Sequence, residues 1–111
     1  MTNLSAVHPL DALSEPRRRE VLERLAELGE APVGVIAEGI DVSRPAVSQH
    51  LKVLKDAGVV TERRSGRERL YRISSDGLHQ ARAAIEVFLV NALDDLESTA
   101  RTLEKQEPHH E

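Results

Sequence analysis

The sequence predicts a mostly α-helical domain that contains one helix-turn-helix unit and one small β-hairpin. Apolar residues recur at helical spacing along most of the 111 residues, which predicts amphipathic helices. Two short helical segments meet through a tight turn just before residue 43, and a strand-like stretch follows at residues 59–73. These observations indicate a single domain over residues 1–105 and a short tail over residues 106–111.

The composition excludes several classes of function. The chain has no cysteine, so we expect neither disulfides nor a thiolate metal site. Its only aromatic residues are Tyr71 and Phe88, which are too few for the stacking platforms that bind single-stranded nucleic acid. The sequence shows no membrane span and no secretory signal, so we expect a cytoplasmic protein without membrane association.

Charge is distributed unevenly, although the net charge is only −4. Residues 43–75 contain eight basic and three acidic side chains, whereas the segments before and after them are net acidic or neutral. A basic centre between acidic ends indicates either a face for an anionic partner or a solvated surface. Charge alone does not separate these two interpretations.

The first half of the chain predicts three helices. A short one is expected around Leu10 and Leu13. A longer one runs from Pro16, which suits a first helical turn, to a stop at Gly29. A third, short helix follows within residues 31–40 and is the first helix of the helix-turn-helix unit.

Residues 43–58 form the predicted second helix of that unit. Ser43 is a good N-cap, and Pro45 suits the first turn. Gly58 is placed to take the left-handed conformation that ends a helix. The inner side of this helix is expected to be an apolar stripe of three residues, Val47, Leu51 and Leu54.

Residues 59–73 predict a two-stranded hairpin that turns at Ser65-Gly66. Strand alternation places Arg63, Arg67 and Arg69 on more than one face, so they cannot all reach one partner. The charged residues of the hairpin are mostly arginines, and this excess of positive charge favours an anionic partner. The alternative is a charged edge that protects the hairpin from aggregation.

A long helix is predicted over residues 76–105, with Ser75 or Asp76 as its N-cap. Its apolar stripe extends beyond what a domain of this size needs to cover its own core, and its second half resembles a helix-pairing seam. We therefore expect dimerisation through the first and last helices. The expected contact residues are Leu10, Leu13, Ile85, Leu89, Leu93, Leu96 and Leu103.

In this order of elements, the chain resembles the ArsR family of bacterial winged helix-turn-helix repressors. The resemblance covers roughly residues 8–105 and is most specific in SRPAVSQHLKVLKDAGVV and in GRERLYRI. It implies a winged helix-turn-helix fold. It also implies a homodimer that binds a palindromic operator near its own promoter and leaves the DNA when a signal arrives.

The chain departs from the founding members of this family at their metal-sensing positions. Those members carry two thiolates on the first helix of the unit, and the aligned positions here are Pro32 and Gly34, which cannot bind a metal. Some relatives bind zinc, cobalt or nickel through histidine and carboxylate ligands on their terminal helices. The comparable residues of this chain are Asp76, His79, Glu86, His109 and His110. Their spacing differs from that of those relatives, so we expect no metal site; a metal-responsive repressor is an alternative.

The expected DNA contacts lie on the second helix of the unit and on the hairpin. Arginine matches the two acceptors of guanine and glutamine the acceptor–donor pair of adenine, so Arg44 and Gln49 are the expected base readers. His50 is expected at a phosphate, with packing against the hairpin as its alternative. The complete set is Ser43, Arg44, Pro45, Ala46, Ser48, Gln49, His50, Lys52, Arg64, Arg67 and Arg69.

The sequence therefore predicts a sequence-specific transcriptional repressor whose partners are double-stranded DNA and a second copy of the chain. We expect no enzymatic activity and no cofactor, because the sequence contains no phosphate-binding loop, nucleophile elbow or paired-histidine motif. A second alternative is a protein-interaction module, because helix-turn-helix units also occur in that role.

Overall fold

The computed structural model describes residues 8–106, which form five helices and a three-stranded sheet. In chain order the elements are α1 (Pro9–Ala12), α2 (Pro16–Leu28), β1 (Glu30–Ala31), α3 (Val33–Glu38), α4 (Arg44–Asp56), β2 (Val60–Ser65), β3 (Glu68–Ile73) and α5 (Ser75–Gln106). Helices α3 and α4 form the helix-turn-helix unit. The β2–β3 hairpin is called the wing below. The predicted fold class, a mostly helical winged helix-turn-helix, is confirmed.

The core lies where α2, α3 and α4 meet the start of the wing. Its largest fully buried side chains are aliphatic: Leu25, Ile36, Leu51, Leu54, Val21, Val47, Val59 and Val60. Burying one such side chain stabilises the fold by about 1.5–3 kcal/mol. Because α4 contributes three of these residues from one side, the core fixes the rotation of α4 about its axis and leaves its other side in solvent.

The helix ends follow the predicted signals, with one correction. Gly29 and Gly58 have φ angles of +82° and +81°, as expected for glycines that end helices. The N-cap of α5, however, is Ser74 and neither Ser75 nor Asp76. The Ser74 hydroxyl oxygen accepts a hydrogen bond from the Gly77 N–H at 3.3 Å.

The sheet has one strand more than the sequence predicts. Strand β1 pairs antiparallel with β3, so the strand order is β1-β3-β2. With two residues, β1 is too short to show an alternating pattern. Glu30 of β1 accepts two hydrogen bonds of 2.8 Å, from Nε and Nη2 of Arg63 on β2. This bidentate pair ties the two outer strands together across β3.

The wing turns one residue later than predicted. Ser65 pairs with Glu68, so the loop is Gly66-Arg67 and not Ser65-Gly66. Gly66 has a φ angle of +62°, a conformation that two-residue hairpin loops require and that glycine adopts without strain. Arg67 therefore lies in the loop itself, while Arg64 lies in β2 directly opposite Arg69.

The Glu30–Arg63 pair predicts a pH-dependent contribution to stability. The hydrogen bonds from Arg63 hold the pKa of Glu30 below its ordinary value of 4.5. A carboxylate with a lowered pKa stabilises the fold above its unfolded-state pKa, and this contribution is lost as the pH falls through the folded-state pKa. We therefore expect Glu30→Gln to lower the free energy of unfolding at neutral pH and to be nearly neutral in strong acid. Denaturant titrations at both pH values measure this difference, and an equal loss at both would contradict the pairing.

Helix α5 extends beyond the body of the domain. Its 32 residues span about 48 Å, and it packs on α1 near its start. The radius of gyration is 20.2 Å, against roughly 13 Å for a compact domain of this length. Among the described helices, none is long and apolar enough to cross a membrane. Most of α5 thus lies in solvent.

Candidate nucleic-acid interface

The outer side of α4 is the centre of the candidate interface. The Ser43 hydroxyl oxygen accepts a hydrogen bond from the Ala46 N–H at 3.3 Å, so the predicted N-cap is formed. Pro45, Ser48 and Gln49 are exposed on the side opposite the buried stripe. Their small or amide-bearing side chains leave room for close approach and offer hydrogen bonds, unlike the long charged side chains of most solvated helices.

Lys52 extends this outer face by one helical turn. Its Nζ lies 3.3 Å from Oδ2 of Asp56, and both side chains are about half exposed or more. Exposed pairs of this kind contribute little to stability, because water screens the attraction. Lys52 is therefore able to exchange Asp56 for another anion at small cost.

Arg44 lies at the start of α4 and reaches over α3. Its Cζ atom is 3.4 Å from the point that a Cβ on Gly34 would occupy, so the guanidinium lies against the glycine backbone. Arg44 is exposed. Its fork of donors matches two adjacent acceptors on one base edge.

His50 points toward the start of α2. Its Nε2 lies 3.9 Å from Oε2 of Glu15, and the histidine side chain is only 19% exposed. Glu15 caps α2, and the backbone N–H of Arg17 is the main cause that lowers the pKa of this carboxyl, with smaller contributions from Arg18 and His50. The sequence suggests two partners for His50, a DNA phosphate and the wing, and Glu15 is neither of them.

The wing arginines occupy both faces of the sheet, as predicted. In the β2–β3 register Glu62 opposes Tyr71 and Arg64 opposes Arg69, so these four residues share one face. Arg63 lies on the other face, where it binds β1. Two like charges directly opposite each other repel, and the pairing of Arg69 with Glu62 on the same face offsets only part of the repulsion between Arg64 and Arg69.

Glu62 forms ion pairs with two cations on this face. Nζ of Lys55 and Nη1 of Arg69 both donate to its Oε1, at 2.5 Å and 3.3 Å. Tyr71 lies directly opposite Glu62 in the β2–β3 register, and its hydroxyl is a minor cause that lowers the pKa of this carboxyl. The hydrogen bond from Lys55 is the largest cause that lowers the pKa of Glu62, so this carboxylate is ionised at neutral pH. Arg69, an expected DNA contact, is therefore already paired within the wing.

Arg44, Arg64 and Arg67 differ from most of the other cations of this region, because they have no acidic partner among the described residues. Within residues 8–106 no ion pair involves these three arginines, and all three are exposed. The cations with an acidic partner are Lys52, Lys55, Arg63 and Arg69. Of the guanidinium groups of this region without an ion pair in the described chain, Arg44 lies at the start of α4 and Arg64 and Arg67 lie at the tip of the wing, whereas Arg72 is exposed on β3 near the base of the wing.

A second surface lies between α1 and α5. Leu10 and Leu13 line an apolar groove of about 590 Å³ together with Leu78, Ala81 and Ile85. Further along α5 the predicted stripe is uncovered: Ile85 is 42% exposed, Leu89 49%, Leu93 57%, Leu96 66% and Leu103 61%. The domain itself does not cover this stripe.

The contacts of two acidic residues of this region could not be predicted from the sequence. Glu15 immediately precedes Pro16, which is a recognisable N-cap signal, but its proximity to His50 depends on how α2 packs on α4. Glu62 lies seven residues from Lys55 but on a strand and not on the helix that carries Lys55, so neither helical nor strand periodicity relates the two side chains. Only the folding of the wing back onto α4 brings that pair together.

Comparison with known proteins places this geometry in a family. A helix-turn-helix domain family matches residues 13–63. The HTH-type transcriptional regulator Rv2034 of Mycobacterium tuberculosis is 46% identical over 82 residues, which cover 74% of this chain and 76% of that protein. The solved structure of an ArsR-like transcriptional regulator from Rhodococcus sp. RHA1 is 28% identical, with a TM-score of 0.70, over 86% of this chain and 87% of that one. The chain belongs to the ArsR family of transcriptional regulators.

The transcriptional repressor SdpR of Bacillus subtilis is another relative of this ArsR-family chain. It is 36% identical over 70 residues, which cover 63% of this chain and 77% of that protein. The family match covers both helices of the helix-turn-helix unit and reaches into the wing at residue 63. The resemblance drawn from the sequence is thereby confirmed.

The metal-sensing positions of ArsR-family founders have a different use in this chain. Pro32 is the N-cap residue of α3, and Gly34 lies beneath the Arg44 guanidinium. In the part of the chain that the structure describes, no three histidine, aspartate or glutamate side chains come together as metal ligands. Asp76 and His79 are exposed near the start of α5, whereas His109 and His110 lie outside the described residues.

Proposed function

We propose that this ArsR-family protein is a homodimeric transcriptional repressor that binds a palindromic operator in double-stranded DNA. The observation that carries the proposal is the placement of three arginines without acidic partners. Arg44 lies at the start of the exposed face of α4, and Arg64 and Arg67 lie at the tip of the wing that packs on this helix. Cations left without internal partners are available to DNA phosphates and base edges.

In the proposed complex the N-terminal part of α4 enters the major groove. Arg44 reads guanine through two hydrogen bonds, and Gln49 reads adenine in the same way. The adjoining residues of this end, which face the groove and its phosphates, are Ser43, Pro45, Ala46 and Ser48. The positive end of the α4 dipole adds to the attraction for a phosphate.

Three further residues have a less direct part in the proposed contact. Lys52 exchanges Asp56 for a phosphate. His50 reaches a phosphate only at the edge of the interface, because Glu15 lies against its ring. Arg69 shares its charge between Glu62 and the DNA, which weakens it as a contact.

The wing tip meets the backbone or the minor groove beside it. Arg67 lies in the two-residue loop of the wing. Arg64 lies on β2, two residues before the loop begins at Gly66. Arginines at such a tip bind phosphates or enter a narrow minor groove, without base-specific hydrogen bonds. An anion at this position also relieves the repulsion between Arg64 and Arg69.

We propose that two copies pair through the groove between α1 and α5 and through the exposed stripe of α5. This supplies the cover that the stripe lacks in a single chain. A two-fold axis then presents two α4 helices to two half-sites about one DNA turn, or a multiple of it, apart. The operator is accordingly an inverted repeat.

The remaining parts of the proposal follow from this role. A repressor of this kind works by occupying DNA, so we propose that the protein catalyses no reaction and requires no cofactor. Its place of action is the cytoplasm, where bacterial DNA lies.

Two substitutions test the proposed division of labour between α4 and the wing. We expect Arg44→Ala to weaken binding to the operator by about 1–3 kcal/mol and binding to random DNA much less, because a base contact is lost. We expect Arg67→Ala to weaken both by similar factors, because a phosphate contact is lost. In the dimer, Arg67→Ala should also flatten the slope of log affinity against log salt by about two units, one per protomer.

Fluorescence anisotropy with the DNA upstream of the gene and with a random duplex of equal length measures these quantities. Loss of operator preference in Arg67→Ala with an unchanged salt slope would show that the wing reads bases. If the unmodified protein binds both duplexes equally, the operator proposal is wrong, and the protein-interaction alternative becomes the better one.

A further inference from the structure

Glu62 is an acid in the most basic part of the chain, on the wing face that α4 approaches. Its side chain is 14% exposed, although most of the wing around it lies in solvent. Its carboxylate accepts hydrogen bonds from Lys55 at the end of α4 and from Arg69 on β3, and Glu62 lies opposite Tyr71 in the β2–β3 register. One side chain thus joins α4 to both strands of the wing.

We propose that Glu62 is a positioning residue that holds the wing at a fixed angle to α4, so that both meet one DNA duplex at the same time. The proposal rests on the proposed DNA binding but concerns a residue that need not touch DNA. Binding through two rigid patches is strongest when their relative orientation is set beforehand, because less conformational freedom is lost on binding. The Lys55–Glu62 pair is the ionic contact that spans α4 and the wing among the described residues.

The charge of Glu62 alone would have the opposite effect on DNA binding. A carboxylate among arginines that face phosphates repels them, so its removal should strengthen binding to every DNA by simple electrostatics. Positioning predicts weaker operator binding after the same removal. The two explanations therefore predict opposite changes in operator affinity when the Glu62 charge is removed, and one substitution separates them.

The experiment compares Glu62→Gln with Glu68→Gln, each introduced singly into the full chain, with the unmodified protein as reference. Both substitutions remove one negative charge from the wing, but Glu68 is exposed and pairs across the strands with Ser65, away from Lys55. We expect Glu62→Gln to weaken operator binding about tenfold while binding to random DNA is unchanged or stronger. Glu68→Gln should leave the ratio of the two affinities unchanged.

Tyr71 provides a second measurement that requires no DNA. It is the only tyrosine of the chain, so its ionisation is observed directly in near-ultraviolet absorbance. Burial, and then the negative charge of the neighbouring Glu62, raise the pKa of Tyr71 above its ordinary value. Glu62→Gln should move this pKa downward, whereas Glu68→Gln should leave it in place.

A third variant tests the action through α4. Lys55→Met removes the partner on α4 and keeps Glu62 in the wing. If Glu62 acts through Lys55, the double variant should lose no more operator preference than either single variant loses. Lys55→Met alone, which keeps Glu62, should also weaken binding to the operator more than binding to random DNA and serves if Glu62→Gln proves too unstable to measure.

Two results would overturn the proposal. One is an equal gain in affinity for operator and random DNA in Glu62→Gln, since this would mean that Glu62 only repels phosphates. The other is an unchanged pKa of Tyr71, since this would mean that the carboxylate does not reach β3 in solution. If the unmodified protein shows no operator preference, the proposed function itself fails, and the Tyr71 titration still decides the contact.

Discussion

Replacing Leu96 with glutamate is expected to convert a dimer into a folded monomer. Leu96 is 66% exposed in the single chain and lies well beyond the part of α5 that packs on α1, so the core of the domain is not affected. In the proposed dimer this side chain is buried, and the two-fold axis places the substitution at the interface twice. A buried charge without a partner costs several kcal/mol, and each 1.4 kcal/mol changes the dissociation constant about tenfold. Sedimentation velocity at micromolar concentration measures the change, and circular dichroism verifies that the helices remain.

Ser98→Glu is the matched control for Leu96→Glu. Ser98 lies two residues further along α5 and projects to nearly the opposite side of the helix. It receives the same charge at a similar distance from the core, and the protein should remain a dimer. Dissociation in both variants would point to general repulsion between acidic helices. A Leu96→Glu variant that remains a dimer would place the interface elsewhere on the chain.

The helix-turn-helix unit could be predicted because its determinants are local. The Ser43 cap, the stripe of Val47, Leu51 and Leu54, and the left-handed Gly58 each depend on residues within a few positions of one another. The structure has all of them where the sequence places them. The exposure of Ser48 and Gln49 follows from the same periodicity.

The sheet was less predictable because its determinants are distant in sequence. Strand β1 exists only through its pairing with β3, and Glu30 meets Arg63 across 33 residues. The register of the wing, which places the loop at Gly66-Arg67, is likewise a property of both strands together. A local turn signal at Ser65-Gly66 is wrong by one residue for this reason.

The positions of the residues in the candidate interface could be predicted, but not which of their positive charges are already paired with acids. Arginines at the wing and polar residues on α4 are visible in the sequence. Which of these cations are available depends on Glu62 and Asp56, and Glu62 reaches its partners only through the packing of the wing on α4. The sequence therefore treats Arg64 and Arg69 alike, whereas the structure leaves the first without an acidic partner and pairs the second.

Gly77→Ala is expected to destabilise the protein, although alanine normally stabilises a helix. A Cβ at this position would overlap the carbonyl oxygen of Gly58 and lie 2.8 Å from Cα of Val59. Both are backbone atoms, so no side chain can rotate away, and the start of α5 must shift from its place. The Ser74 N–H, which donates to the Val59 carbonyl oxygen at 2.7 Å, would shift with it. Forced overlap of this kind costs about 1–3 kcal/mol or more, and each 1 kcal/mol lowers the melting temperature by roughly 4–8 °C in a domain of this size.

The sign of the effect makes this test decisive. In an open helical position Gly→Ala gains about 1 kcal/mol, so a higher melting temperature for Gly77→Ala would show that α5 does not approach Gly58 closely. Gln80→Ala, one turn further along α5 at an exposed position, is the control and should change stability by no more than about 0.5 kcal/mol. Thermal unfolding followed by circular dichroism measures both variants. Because this start of α5 also carries Leu78 and Ala81 of the groove against α1, Gly77→Ala should weaken dimerisation together with stability, whereas Leu96→Glu weakens dimerisation alone.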